Sequence, residues 1–181
     1  MKAFSDSDIA CVSYAHKHKA PWTLYSEGYR RASLLLIENA RSLEHSQDFL
    51  VYPILNMFFH SIEISIKGML FCLGEKPAST HKLSEQLGHL KKTVSEKIGW
   101  EETGWEPVDK AVEYLEQIPF PDQMFRYPVD RKMNRHFKEI DYVYLDEIHT
   151  LILSCHAALN AAETGCSAEM DAFYDSLEAM S

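Results

Sequence analysis

Three residues in the apolar middle of the chain have side chains and a spacing that suit chemistry. His60, Glu63 and Lys67 are separated by three and then four residues, so a helix would carry them on one face. Glu63 followed by Lys67 is also the favourable order for an ion pair within a helix. Such a face is either a ligand or dimer-contact site, or a structural polar seam in which Glu63 pairs with a loop arginine such as Arg126. The pattern favours the structural seam and leaves the binding role open.

A second set of residues offers metal ligands. His60 and Glu63 on one helix could face Asp146 and His149 on another, as carboxylate and imidazole pairs do in di-iron bundles. Those bundles also take a Glu from each of two further helices and use the Glu-x-x-His order in both pairs. Here one pair has the reverse order and the extra Glu residues are not evident. A metal-binding bundle is therefore the third alternative, and the sequence predicts neither a metal nor a cofactor.

Composition and charge limit the class of protein. The chain has 181 residues, of which 46% are hydrophobic and 25% are charged, as expected for one soluble domain over residues 1–181. Its net charge of -9 argues against non-specific binding to nucleic acid or anionic lipid. Five basic residues lie between Arg126 and Lys138, whereas residues 139–181 contain nine acids and neither Lys nor Arg. Neutralisation of this basic stretch by the acidic helices is favoured over a phosphate-binding patch.

The sequence predicts a cytoplasmic protein that does not enter the membrane. Its first ten residues lack the apolar segment of a secretory signal, and its four cysteines form no C-x-x-C pair. The stretch from Phe49 to Leu73 is long enough to cross a bilayer, but His60, Glu63 and Lys67 would be costly there. A buried helix of a soluble bundle fits this stretch better.

Helices must position all of these residues. Residues 1–19 show no sustained period and are expected to be a loosely ordered lead-in. Apolar residues then recur at steps of three or four, which predicts helices over about 21–43, 53–73, 83–98, 107–118, 145–165 and 167–177. The predicted core stripe of the first helix is Trp22, Tyr25, Tyr29, Ala32, Leu36, Ala40 and Leu43. Residues 119–144 lack a stripe and indicate a long loop or short hairpin. The expected fold is an all-α, single up-and-down antiparallel helical bundle.

One segment resembles a known family. The run HSIEISIKGMLFCLGEKPASTHKLSEQL resembles the HEPN (higher eukaryotes and prokaryotes nucleotide-binding) domains. Their central helix often reads H-x-x-E-x-x-x-K-x-x-L and is followed by a glycine turn and a T/G-H-x-L step. These places are supplied by His60, Glu63, Lys67, Leu70, Gly74, His81 and Leu83, and the later FRYP at 125–128 is similar to a phrase in bacterial members. The resemblance implies an all-α bundle, frequent homodimerisation and an association with RNA cleavage, toxin or antiphage systems, or nucleotidyltransferase partners.

The resemblance also implies a possible catalytic pair. Active members of the family are metal-independent ribonucleases with an R-x(4-6)-H motif at the dimer interface, where Arg holds the scissile phosphate and His moves the proton of the 2′-hydroxyl. In this chain only Arg131 and His136 have that spacing. A random chain of this composition would contain roughly one such match, and no helical pattern surrounds the pair. These observations favour a binding module over an endoribonuclease.

The sequence thus predicts an HEPN-like helical binding or interaction module in an RNA-related, toxin–antitoxin or defence context. It is expected to form a homodimer, with RNA, a nucleotide or a partner protein as candidate ligands. The expected binding or structural polar face consists of His60, Glu63, Lys67, His81 and Arg126. The alternative function is an endoribonuclease that uses Arg131 and His136 as catalytic residues.

Overall fold

The computed structural model of the protein describes residues 21–42, 47–100, 104–118 and 142–179. Its helices are α1 (Pro21–Ser42), α2 (Gln47–Cys72), α3 (Leu83–Ile98), α4 (Glu106–Glu116), α5 (Leu145–Gly165) and α6 (Ser167–Ala179). The described ranges contain no strand, and the prediction of an all-α helical bundle is confirmed. The predicted lead-in at 1–19 and almost all of the predicted loop or hairpin at 119–144 lie outside the described residues. A single domain over residues 1–181 stays a prediction.

The second helix is the central element of the bundle. α2 contacts α1, α3, α5 and α6, and it buries large side chains such as Phe58, Ile62 and Ile66 completely. By length and composition alone, α2 is the one described helix that could cross a membrane. Within the described residues, 44% of its most apolar 18-residue stretch is buried inside the protein.

The predicted start of α2 was wrong. Pro53 was expected to open the helix, but the helix begins six residues earlier at Gln47 and carries Pro53 inside it. Proline in a helix interior removes one backbone hydrogen bond and its ring crowds the preceding turn. The preceding turn nevertheless stays helical and packs Leu50 and Val51 against the core. Tertiary packing therefore outweighs the local signal of the proline.

The predicted core stripe of α1 also needs correction. The buried residues of this helix are Ser26, Ser33, Ile37 and Ala40, whereas Tyr25 of the predicted stripe is 46% exposed. The two serines bond to backbone carbonyls of α2, Ser26 to the carbonyl of Ser61 at 2.9 Å and Ser33 to that of Ile54 at 3.0 Å. Hydrogen-bonded hydroxyls can be buried at little cost. The seam between α1 and α2 therefore contains small polar residues that the predicted stripe lacked, next to Trp22 and Tyr29, which also contact α2.

Glycine and proline mark the ends of the other helices where the sequence indicated them. α3 ends at Gly99, whose φ of 71° lies in the left-handed region that glycine adopts readily. Pro107 lies in the first turn of α4, where its missing N–H has no helical partner to lose. The observed bounds of α3, α4 and α5 agree with the predicted ones within two residues.

Side-chain contacts show that α1 and α5 run antiparallel. Thr23 donates a hydrogen bond to Glu163, and at the other end of α1 Arg41 pairs with Asp146. Because both helices rise equally per residue, this register places Arg30 level with His156. The two helices thus bring polar side chains face to face along several turns.

Candidate functional site

The predicted polar face of α2 is assembled around the carboxylate of Glu63. Lys67 Nζ lies 2.8 Å and His81 Nδ1 lies 2.9 Å from Glu63 Oε1, while His60 Nδ1 lies 3.3 Å from Oε2. Since a carboxylate only accepts hydrogen bonds, both histidines carry a proton on Nδ1. The structure therefore brings His60, Glu63, Lys67 and His81 together as one cluster, which we call the Glu63 cluster.

The Glu63 carboxylate is buried but remains ionised. Its side chain is only 6% exposed. Burial raises the pKa of Glu63, but hydrogen bonds from His60, Lys67 and His81 outweigh it and lower the pKa to about 2. The negative charge is thus fully hydrogen-bonded at neutral pH.

The Glu63 cluster joins two parts of the backbone. His81 lies in the segment between α2 and α3, and its bond to Glu63 ties that segment to the central helix. On the other side of the cluster, the His60 ring packs against Tyr29 of α1 and Phe59. This arrangement suits a structural joint, because each polar group of the cluster already has a protein partner. Arg126, the predicted loop partner of Glu63, lies outside the described residues.

The two pairs of the metal-site alternative, one on α2 and one on α5, do not meet. His60 packs on Tyr29, whereas Asp146 pairs with Arg41, about three turns or roughly 18 Å farther along α1. In the part of the chain that the structure describes, no group of three His, Cys, Asp or Glu side chains could hold a metal ion. The predicted catalytic residues, Arg131 and His136, lie outside the described residues.

A different set of polar residues surrounds a cavity of about 490 Å³ between α1, α2, α5 and α6. We call it the α1–α5 cavity. Its polar lining consists of Thr23, Ser26, Glu27 and Arg30 of α1, Ser65 of α2, His156, Asn160, Glu163 and Thr164 of α5, and Ser167 of α6. The residues from α1 and α5 recur at steps of three or four, so each helix turns a polar face inward. A cavity of this size fits a small organic molecule.

A rigid ion pair forms part of the cavity wall. Arg30 Nε and Nη2 lie 2.5 and 2.6 Å from the two carboxylate oxygens of Glu27, and Arg31 Nε lies 2.6 Å from Oε1. The hydrogen bond from Arg30 is the main reason that the pKa of Glu27 falls to about 2, although burial acts in the opposite direction. Two-point bonding fixes the guanidinium plane. Arg30 therefore presents its remaining N–H groups in a defined orientation.

His156 is the most deeply buried ionisable group of this cavity. It is 4% exposed, and burial together with the nearby Arg30 charge lowers its pKa to about 4, so the ring is neutral at pH 7. Its Nε2 lies 2.8 Å from Ser61 Oγ, and the single hydroxyl proton of Ser61 is donated to the Phe58 carbonyl. The Nε2 atom must therefore donate to Ser61. This tautomer leaves Nδ1 as a hydrogen-bond acceptor.

Comparison with known proteins adds no relative to this picture. No protein-family model matches the chain, and no curated protein and no solved structure matches it. The candidate site therefore depends on the geometry of the described residues.

Sequence reasoning missed the α1–α5 cavity. The predicted stripe of α1 followed the aromatic and aliphatic residues and did not include Ser26, Glu27 or Arg30. One available signal was the shared spacing, four and then three residues, of Thr23, Glu27 and Arg30 on one helix and His156, Asn160 and Glu163 on another. That signal becomes meaningful only when the register between the two helices is known.

Proposed function

We propose that the protein is an HEPN-like helical binding module whose ligand site is the α1–α5 cavity. The inward-facing polar residues of α1 and α5 support this proposal most strongly. Polar side chains on the inner face of a packed helix lower the amount of apolar surface that the helix can bury. Where such side chains surround an open cavity, they are typical of a binding site. Glu27, Arg30 and His156 provide both charged and neutral groups for recognition.

The chemistry of the described residues favours binding over catalysis. With a pKa of about 4, His156 is a weak general base at neutral pH, where efficient bases have a pKa near the working pH. The Nε2 atom of His156 already carries a proton and donates it to Ser61, so it cannot accept the serine proton and activate Ser61 as a nucleophile. Glu63 is held by three donors in the Glu63 cluster and contributes to stability instead.

We further propose a cytoplasmic homodimer in an RNA-related, toxin–antitoxin or defence setting. The resemblance of the segment from His60 to Leu87 to HEPN domains supports this context. Exposed apolar side chains on the first two helices support self-association, since Leu35 is 64%, Phe49 is 77% and Tyr52 is 42% exposed. Light scattering of the purified protein tests the dimer directly.

Ligand binding at the cavity is tested with a blocking variant and a matched control. Asn160 lines the cavity and is exposed, so Asn160→Trp would fill space without disturbing the core. Ala161 is also exposed and does not line the cavity, so Ala161→Trp adds the same ring outside the site. The thermal midpoint of each protein is measured with nucleoside monophosphates, amino acids, ω-amino acids, dipeptides, polyamines and a short single-stranded RNA.

The proposal predicts that at least one compound raises the midpoint of the wild type and of Ala161→Trp but not that of Asn160→Trp. If no compound acts in this way, the α1–α5 cavity is not the ligand site. A second assay incubates the protein with total RNA in the presence and absence of a chelator. Cleavage that persists in chelator and disappears in His136→Ala would favour the endoribonuclease over the binding module. Cleavage that requires a metal ion would favour a metal site.

A further inference from the structure

The charges of the α1–α5 cavity are separated along its length. At one end, Glu27 accepts hydrogen bonds from Arg30, which lines the cavity, and from Arg31, which lies outside the lining, so two guanidinium groups and one carboxylate give a net charge of +1 around this end. At the other end, the carboxylate of Glu163 accepts a hydrogen bond from the uncharged Thr23, so that end is negative. The cavity therefore resembles a slot with a positive and a negative end.

The register of α1 and α5 sets the distance between these ends. Thr23 and Glu163 face each other at one level, and Arg30 lies level with His156. The separation from Thr23 to Arg30 on α1, like that from His156 to Glu163 on α5, is seven residues, which corresponds to about 10 Å along a helix. The side chains can lean toward each other, so a ligand that reaches both ends must be elongated but short.

The positive end suits a singly charged oxyanion. Glu27 occupies the Nε and Nη2 side of the Arg30 guanidinium, and the edge formed by Nη1 and Nη2 is not used by that carboxylate. This edge has the geometry to bind a carboxylate through two parallel hydrogen bonds. Glu27, which lies against the same arginine, would repel a doubly charged phosphate more strongly than a singly charged carboxylate. The local charge balance therefore favours a carboxylate.

The negative end suits an amine. Thr23 donates to Oε1 of Glu163, and the adjoining Asn160 and Thr164 add amide and hydroxyl groups to the wall. An ammonium group has three donors, which matches several oxygen acceptors around one carboxylate. Trp22, Met69 and Met170 give the wall an apolar portion. Trp22 precedes Thr23 and packs against Gly68, next to Met69, so these two side chains lie at the Glu163 end.

We propose that the α1–α5 cavity binds an elongated zwitterion, with its carboxylate at Arg30 and its ammonium group at Glu163, such as an ω-amino acid or a dipeptide. This inference rests on the proposed function, because it assigns a ligand class to the same cavity. His156 also lines the cavity at the level of Arg30, and its neutral ring keeps Nδ1 as a hydrogen-bond acceptor.

Isothermal titration calorimetry with simple probes tests this inference. The probes are 6-aminohexanoate, glycine, hexanoate and hexylamine, compared at equal ionic strength and at pH 7. Glycine carries both charges close together, whereas hexanoate and hexylamine each lack one charge. Since a charge-assisted hydrogen bond contributes about 1.5–3 kcal/mol, 6-aminohexanoate is expected to bind roughly tenfold or more tightly than each of the other three.

Two variants assign the ends of the ligand. Arg30→Gln should abolish the preference for 6-aminohexanoate over hexylamine, and Glu163→Gln should abolish its preference over hexanoate. Arg30→Lys keeps the charge and serves as a second variant if Arg30→Gln does not fold, as judged by circular dichroism. It should weaken 6-aminohexanoate binding while leaving hexylamine binding unchanged, because Lys cannot form the two parallel bonds.

The outcomes separate this inference from the proposed function. Equal affinity for 6-aminohexanoate, glycine and hexanoate would refute the zwitterion inference. If 6-aminohexanoate does not bind but another compound binds in a manner blocked by Asn160→Trp, the binding function stands and the ligand class is wrong. If nothing binds in a manner blocked by Asn160→Trp, both proposals fail.

Discussion

Replacement of Glu63 by glutamine tests whether the Glu63 cluster is a structural joint. The hydrogen bonds of the cluster lower the carboxyl pKa from its ordinary 4.5 to about 2. Each tenfold change in a proton dissociation constant corresponds to about 1.4 kcal/mol, so the ionised group contributes about 3 kcal/mol to folding at neutral pH. Glu63→Gln keeps the shape of the side chain and removes the charge. We therefore expect the free energy of unfolding at pH 7 to fall by about 3 kcal/mol.

The same substitution predicts a change in pH dependence. Because the folded pKa lies below the unfolded one, the contribution of Glu63 is complete above pH 4.5 and is lost as the pH falls toward 2. The wild type should lose its advantage over Glu63→Gln across this interval. Urea denaturation at a series of pH values measures both effects.

A surface carboxylate provides the control for this experiment. Glu96 forms an exposed pair with Lys92 at 3.8 Å on α3, and Glu96→Gln is expected to leave stability nearly unchanged. If Glu63→Gln lowers the free energy of unfolding by less than about 1 kcal/mol, the effect is no larger than that of a surface ion pair, and the structural role of the Glu63 cluster is refuted. An unchanged difference between wild type and Glu63→Gln from pH 5 to pH 2 would refute the assigned pKa.

Two further predictions concern packing and protonation. A Cβ atom at Gly68 would lie 2.5 Å from Trp22 Cβ, so Gly68→Ala should lower the free energy of unfolding by about 1–3 kcal/mol. At Gly88 of α3 a Cβ atom would meet nothing within 4 Å, so Gly88→Ala should raise the free energy of unfolding by about 0.5–1 kcal/mol. Equal effects of the two substitutions in denaturation experiments would disprove the close approach of α1 and α2. The ring protons of His156 should titrate in NMR spectra only near pH 4, and stability should fall as the pH drops from 6.5 to 4 because the unfolded chain takes up the proton first. Titration of His156 near pH 6.5 would contradict its buried, neutral state.

The helices were predictable from the sequence because their apolar residues follow the helical period and their ends carry glycine or proline. Pro53 misled the prediction, since the local cost of a proline is smaller than the gain from packing Leu50 and Val51. Hydrophobicity also missed part of the buried face of α1. Ala40 of the predicted stripe is buried, but Ser26 and Ser33 are buried through hydrogen bonds to backbone carbonyls that no sequence pattern identifies.

The two polar sites differed in how far the sequence revealed them. His60, Glu63 and Lys67 lie within one helix, so their spacing alone placed them on one face. The α1–α5 cavity joins residues more than 120 positions apart, such as Arg30 and His156, and only the register between two helices brings them together. His156 is also neutral because of its burial, and burial is a property of the folded chain.

The most direct test of the account is an NMR titration of the ¹⁵N-labelled protein with 6-aminohexanoate. If the α1–α5 cavity is the ligand site and the Glu63 cluster is structural, shifted backbone amides should concentrate between Thr23 and Arg30 and between His156 and Glu163. The backbone amide resonances of residues around His81 should not shift. Shifts centred on the Glu63 cluster, with none along α1 and α5, would contradict the account.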